Sequence, residues 1–453
     1  MLLENRRTHF KKTFLLAYPV IISQVGHVVV NITDSVLIGH LGPVKLAACS
    51  LGISVFAVLM VFGIGIAYGL TPHISREYGA DNKDACGKYL VNSFLINILT
   101  GALVFLGIYT LSTQLSSFGQ APEVVTEALP FLRIIGFSMV PLMVFLTFKQ
   151  FAEGLNFTRQ AMIITLIADG FNIFLTYGLI NGAFGLPRLE LKGAGYANLI
   201  SRTLMAILMM AYVLRSKNFK PYLHQARIKF ANWLVSKEII NYGIPTAFQY
   251  LFEVGAFALA ALMMGMLGPN FQSAHQIAIS IASATYMAAS GIGAATSVRV
   301  GNALGEKNYK QLQRAGNTGY MMVLMFMGLM ALLMIFGRTA FPMYYMNHPE
   351  VVSLASTLMI VAAFFQLSDG TQVVGLGALR GMGDVKIPTL VTFIAYWVIS
   401  IPLAYYLGFS LKMGGNGIWI ALSLGLTVSA ILLYWRFRIL STRFISKDEP
   451  TFA

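Results

Sequence analysis

Twelve runs of mainly apolar residues dominate this sequence, at about 14–40, 46–70, 88–112, 124–148, 160–181, 194–214, 240–266, 274–297, 316–337, 350–376, 388–409 and 414–436. A hydrocarbon core of about 30 Å takes roughly 20 residues of helix, because lipid offers no partner to an unpaired backbone N–H or C=O. Every run reaches that length. The chain is therefore expected to be all-α, a polytopic membrane protein of twelve transmembrane helices. Composition supports the choice of solvent: 57% of the 453 residues are apolar and 11% charged, where a soluble domain carries about a quarter charged residues. Mean hydropathy is +0.69. Met1–Lys12 is short and basic, and the run after it is too long for a signal peptide, so it reads as an uncleaved first span. Cys49 and Cys86 cannot make a disulfide framework and match no metal-ligand spacing.

A net charge of +14 would raise the question of nucleic acid in a soluble protein. Here the basic residues lie between apolar runs and on no patterned polar face, so no nucleic-acid partner is expected. If the N-terminus is cytoplasmic, the inside segments hold 25 Lys and Arg and the outside segments 5. That bias places both termini in the cytoplasm and fits an even number of spans. Membrane lipid is the expected surrounding of the spans.

The sequence also repeats. An offset of 226 pairs Pro19 with Pro245, Gly39 with Gly265, and Leu41-Gly42-Pro43 with Leu267-Gly268-Pro269. The same offset pairs Ala48 with Ala274, Ile53-Ser54 with Ile279-Ser280, Gly65-Ile66 with Gly291-Ile292, Gly79 with Gly305, and Asn82 with Asn308. Matches concentrated in Gly and Pro are matches of backbone geometry. The expected organisation is an N-lobe over 1–214, a cytoplasmic linker over 215–237 and a C-lobe over 238–453. Six spans per repeat would relate the two six-helix lobes by a pseudo-two-fold axis along the membrane normal, with a central cleft.

Four carboxylates fall well inside apolar runs: Asp34, Asp169, Glu253 and Asp369. A charge at bilayer depth costs several kcal/mol on most scales, so each needs a partner, a wet cavity or a proton. One reading is a polar lock between helices. The other is transport chemistry, and the repeat favours it. Asp34 pairs with Ala260, Glu253 with His27, Asp369 with Leu142 and Asp169 with Tyr396, so no acid is reproduced in the other half.

Spacing adds detail. His27, Asn31 and Asp34 share one helix face, as do Asp169, Asn172 and Thr176, and together they are expected to form an N-lobe pocket of hard oxygen ligands suited to Na+ or a proton. His27 taken alone reads as a packing histidine before a proton relay. Gln249, Tyr250 and Glu253 lie one turn apart, and Glu253 and Asp369 are expected to converge in a C-lobe pocket with Tyr286 as phenol donor. Arg133 and Arg202 read as partners of polar groups near the span ends. Some of the 23 Met and 32 Phe would line an adaptable apolar substrate surface.

Other motifs carry less. Gly381-Met382-Gly383-Asp384 echoes the GxGD of intramembrane proteases but sits at a polar helix end beside Arg380 and Lys386, so a loop is expected. Asn31-Ile32-Thr33 is a glycosylation sequon inside a span, and Gly65-x-x-x-Gly69 reads as close helix packing. No Walker A, HExxH or GxSxG motif occurs. Neither an enzyme nor an organic cofactor is expected.

An ordered set of short motifs spans nearly the whole chain: Tyr18-Pro19, Thr33-Asp34, Gly39-His40-Leu41-Gly42, Glu153-Gly154-Leu155 and Phe252-Glu253-Val254. It continues with Ala274-His275-Gln276, Ser297-Val298-Arg299-Val300-Gly301, Gln366-Leu367-Ser368-Asp369 and Gly377-Ala378-Leu379-Arg380-Gly381. Together these resemble the multidrug and toxic compound extrusion (MATE) family, closest to its bacterial NorM branch. The resemblance implies a multidrug efflux antiporter for cationic or amphipathic compounds, coupled to Na+ or H+ by rocking of two lobes, acting as a monomer in the bacterial cytoplasmic (inner) membrane. By position it implies Glu253 and Asp369 as C-lobe cation-site acids and Na+ ligands. It further implies Asp34 as the N-lobe acid, Tyr286 as a helper and Asn172 as an N-lobe asparagine. The chain departs from the pattern at Phe365, where an oxygen-bearing Tyr is common, at Phe257, where some relatives carry a second Glu, and at Thr176, which replaces an Asp. Those departures leave the coupling ion open. The alternative function is a flippase for lipid-linked precursors on the same architecture, which would need a cationic cleft for phosphate.

Overall fold

A computed structural model describes residues 6–118, 121–345 and 348–448. The start of the basic N-terminal stretch, Met1–Asn5, lies outside the described residues. Among them, twelve helices are long and apolar enough to cross a membrane. In chain order these are α1 (Arg7–Gly39), α2 (Pro43–Gly79), α3 (Lys83–Thr113), α4 (Pro122–Gly154), α5 (Thr158–Asn181) and α6 (Glu190–Arg215). After them come α7 (Trp233–Leu267), α8 (Pro269–Gly305), α9 (Tyr309–Phe336), α10 (Pro349–Gly381), α11 (Lys386–Ser410) and α12 (Gly414–Ser446). Each apolar run overlaps one helix. The two 37-residue helices, α2 and α8, rise about 55 Å at about 1.5 Å per residue and so outreach the hydrocarbon core.

The repeat is explained at both ends of α2 and α8. Each helix begins with a proline at its first position, after a glycine at φ 107° (Gly42) or 123° (Gly268). Only glycine adopts that backbone without strain, and a proline there loses no hydrogen bond. Each helix is followed by a left-handed residue, Asp81 at φ 54° or Lys307 at φ 55°. An asparagine cap opens the next helix: Asn82 accepts from the Ala85 N–H at 3.2 Å and Asn308 from the Gln311 N–H at 3.1 Å. The middle of each helix repeats for a different reason, close packing.

The chain forms two compact units. One holds α1 as far as Ile21 together with the chain from Gln249 onward, and the other holds Ile22–Phe248. The boundaries thus fall just after the paired prolines Pro19 and Pro245, inside α1 and α7. The six-span halves read from the sequence meet instead in the 215–237 linker. In the first unit a Cβ on Gly291 would stand 2.5 Å from Ile21 Cγ1 and 3.1 Å from its backbone nitrogen. In the second a Cβ on Gly65 would overlap Ala247 Cα and lie 2.7 Å from its nitrogen. Gly65 and Gly291 are 226 apart, and so are Ile21 and Ala247. Each glycine therefore receives the opening stretch of the other half's first helix, backbone against backbone.

Side chains one helical stretch further on fasten the same contacts. In the first unit buried Arg299 donates to the His9 carbonyl at 2.9 Å and to Thr13 Oγ1 at 2.6 Å. In the second, His73, 226 residues earlier, stacks on Tyr89 with centroids 4.8 Å apart and meets the Tyr242 ring at 4.9 Å. The linker is packed down as well. Phe219 is fully buried against Phe157 and Tyr212. Asn92 Oδ1 accepts from the Asn232 N–H at 2.8 Å and the Ser236 hydroxyl at 2.9 Å. Cys49 and Cys86 are free, buried thiols.

Candidate functional site

Each unit carries its own buried acids. In the first, Glu253 of α7 is 6% exposed and Asp369 of α10 is 3% exposed. The two carboxyl groups lie within electrostatic reach of one another, as the sequence reading expected, and Tyr286 of α8 presents its hydroxyl to Glu253. Arg380 supplies the nearest positive charge. It is held by Gln249 Oε1 at 2.9 Å and by Tyr250, whose hydroxyl is 3.3 Å away and whose ring lies 5.2 Å below the guanidinium. Gln249 also donates to the Val385 carbonyl and to Thr389 Oγ1, so the helix end that bears Arg380 is tied to α7. Asp369 Oδ1 is buried and meets no hydrogen-bond donor among the described residues. Two carboxylates and a phenol form a set of hard oxygen donors that suits Na+ or a proton.

The second unit divides its polar residues into two stations. His27 Nδ1 lies 3.2 Å from Asp169 Oδ1. Two turns along α1, Asp34 accepts from Asn198 Nδ2 at 3.1 Å and is approached by the Thr176 hydroxyl, with Arg202 as the near positive charge. Thr176 in turn donates to Asn172 Oδ1 at 3.3 Å. The number 169 exceeds 27 by 142, and 176 exceeds 34 by 142, as it should for two helices running the same way in register. Asp34 and Asp169 therefore sit at two levels of one helix pair, where spacing alone suggested one pocket. Asn31 is exposed on α1.

The remaining sequence-derived features find places too. Arg202 Nη1 donates to Ser138 Oγ at 2.6 Å and lies 5.0 Å over the Phe56 ring, while Arg133 Nε donates to Ser112 Oγ at 3.1 Å. Asp384 of the GxGD stretch accepts from Arg436 Nε at 2.8 Å beyond the end of α10, with Gly383 at φ 91°. Sequence reasoning missed Asn198, the Gln249–Arg380 bond, and Gln372, which donates to the Tyr396 hydroxyl at 3.0 Å. It also missed the buried pair Lys149 and Glu153, 3.9 Å apart on α4. Only the last was legible, as a basic and an acidic residue at i and i+4 on one helix face.

Twelve membrane-crossing helices in two repeated halves, with carboxylates buried partway along the spans of each unit, define a multi-pass membrane transport protein. The MatE family model matches residues 19–178 and 245–406, two stretches that begin at the paired prolines. The chain belongs to the MatE family. It is 31% identical over 436 residues to the probable multidrug resistance protein NorM of Xylella fastidiosa, covering 96% of this chain and 93% of that one. It is 31% identical over 426 residues to multidrug resistance protein MdtK of Photorhabdus laumondii, covering 93% of each. The eukaryotic MATE transporter AtDTX14 superposes with a TM-score of 0.88 at 23% identity, over 98% of this chain and 100% of that one. A crystal structure of MATE in complex with MaD3S superposes at 0.89 and 20% identity, over 97% of each chain. These two likenesses establish the fold.

Proposed function

We propose that this protein is a cation-coupled multidrug efflux antiporter that exports cationic or amphipathic compounds by alternating access, driven by inward Na+ or H+. The observation that carries the reading is the buried pair Glu253 and Asp369, with Asp369 Oδ1 lacking any donor among the described residues. A buried carboxylate without a donor is costly unless a cation or a proton compensates it. A cationic drug and the coupling cation can each do so, and exchange follows if the two bind best in different conformations. The names of the relatives support drugs as the exported class. In this reading Glu253 and Asp369 are the coupling acids and Na+ ligands, Tyr286 steadies Glu253, and Asp34, Asp169 and Asn172 serve the second unit. The protein acts as a monomer in the bacterial inner membrane with both termini cytoplasmic.

The test is efflux of a cationic dye by inverted vesicles under separate Na+ and H+ gradients, with wild type and Glu253→Gln, Asp369→Asn, Asp34→Asn and Asp169→Asn. Glu253→Gln and Asp369→Asn are expected to abolish gradient-driven export while the protein stays folded in the membrane. Wild-type export from both variants defeats the assignment. The gradient that supports wild-type export identifies the ion.

A further inference from the structure

α9 and α12 lie side by side and antiparallel. Tyr309 stacks on Phe444 with centroids 5.3 Å apart, and Gln313 Nε2 donates to Ser441 Oγ at 3.3 Å. Tyr320 meets the Phe437 ring at 5.8 Å and the Tyr434 ring at 5.0 Å. One residue number rises as the other falls. Gly316 makes the approach close, since a Cβ on it would overlap the Phe437 ring.

The faces turned away from this contact are uncovered, and they change character along their length. On α12 the exposed stripe runs Ile431, Trp435, Arg438, Thr442, at steps of four, three and four that keep to one helix face. Trp435 is 63% exposed. On α9 the half-buried Arg314 is followed, on one face, by exposed Met321 and Met325. From Arg314 to Met321, and from Arg438 back to Ile431, each stripe passes from cation to apolar side chain over about 10 Å, at about 1.5 Å per residue. Trp435 stands at the join. That order is the depth profile of one leaflet: phosphate, interface, hydrocarbon.

The two cations belong together. The contacts of Gln313 with Ser441 and of Gly316 with Phe437 put Arg314 and Arg438 at nearly the same level. At about 100° per residue both are reached from the contact line by turning in the same sense, which on antiparallel helices is the same side of the pair. Neither α9 nor α12 contains an Asp or Glu. Arg436, two residues from Arg438, is turned to another flank, where its Nε donates to Asp384 at 2.8 Å.

We infer that this face of α9 and α12 is a binding site for an anionic phospholipid. Arg314 and Arg438 hold the phosphate-bearing headgroup, Trp435 lies at the glycerol level, and the acyl chains run along Met321, Met325 and Ile431. Guanidinium groups match phosphate in geometry as well as in charge, and basic residues between helices at the membrane surface recognise anionic headgroups. The occupant is a lipid and not a soluble anion because the cations pass without a break into uncovered apolar surface. The site is separate from the buried acids and does not depend on antiport.

The test is tryptophan quenching in the full-length protein, reconstituted in phosphatidylcholine vesicles that hold a minor share of phosphatidylglycerol brominated on its chains. The Trp435 part of the emission is taken by difference from Trp435→Phe, since the chain has 4 Trp. Brominated phosphatidylglycerol is expected to quench Trp435 more than an equal share of brominated phosphatidylcholine does. Arg438→Gln should lower that preference about fivefold, the weight of one basic residue at a membrane surface, and Arg314→Gln should do the same. If Arg314→Gln does not fold, the exposed Arg438 reads the site alone. Lys412→Gln, at the other end of α12, should leave the preference unchanged. Equal quenching by both lipids in the wild type overturns the site. A preference kept in Arg438→Gln, or lost equally in Lys412→Gln, overturns its assignment to these residues. Loss of the preference on adding water-soluble glycerol phosphate overturns the lipid as occupant.

Discussion

Asp169 is gripped from two sides on α1. His27 Nδ1 stands 3.2 Å from Oδ1, and a Cβ on Gly26 would lie 2.7 Å from Oδ2. The missing side chain at Gly26 is what lets the carboxyl group reach α1. Gly26→Ala is expected to separate Asp169 from His27 and to cost about 1–3 kcal/mol as an overpacked contact. Thermal unfolding in detergent reads the cost, and the effect of Gly26→Ala with and without Asp169→Asn measures the coupling between the two positions. Retention of wild-type stability and export by Gly26→Ala would show that the contact carries no weight. At this scale the acids were readable because a carboxylate in an apolar run is anomalous against its neighbours. Asn198, Gln372 and the bond from Arg380 to Gln249 were not, because an amide partway along a span becomes informative only when its partner across the helix boundary is known. Asp34 and Asp169 show the same limit: periodicity gave each its face, and helix register decided that they occupy separate levels.

Helices meet at the paired glycines. Gly65 faces the Ala247 backbone and Gly291 faces Ile21, so any side chain there has to force the main chains away from each other. Gly65→Ala and Gly291→Ala are each expected to destabilise by about 1–3 kcal/mol, because backbone cannot yield as a side chain does. Gly39→Ala is the contrasting case. Gly39 belongs to the same repeat, yet a Cβ on it meets nothing within 4 Å. Its substitution should leave the melting temperature in detergent unchanged, and a loss equal to that of Gly65→Ala would refute the packing account. The repeat thus mixes several physical causes. Gly42 and Gly268 serve backbone conformation, Asn82 and Asn308 cap helices, and Gly65 and Gly291 serve close approach. A sequence offset reports that geometry recurs and is silent on which cause operates. The π-helical turn of α11 over Ile394–Ser400 left no offset and no motif.

For the whole molecule, the charge bias predicts a topology that can be tested directly. Cys49 and Cys86 are both buried, so the native thiols should react slowly and provide a quiet background. A cysteine placed at Asn218 in the linker should be labelled by an impermeant maleimide in inverted vesicles and protected in intact cells, and one at Lys412, between α11 and α12, should behave the opposite way. Labelling of both from one side would break the even-span topology. The amino-acid sequence by itself determined the solvent, the number of spans, the two-fold repetition and the four acids. Those depend on local hydropathy and on identities at fixed offsets, which are properties of the chain as a string. Tertiary structure decided how the chain is partitioned and which acids share a site. It drew the unit boundaries inside α1 and α7, after Pro19 and Pro245, because the opening stretches of those helices pack on glycines far away in the chain. It brought Glu253, Asp369, Tyr286 and Tyr396 together from four helices. Contacts of that kind depend on how helices cross and in what register, and no local pattern encodes either.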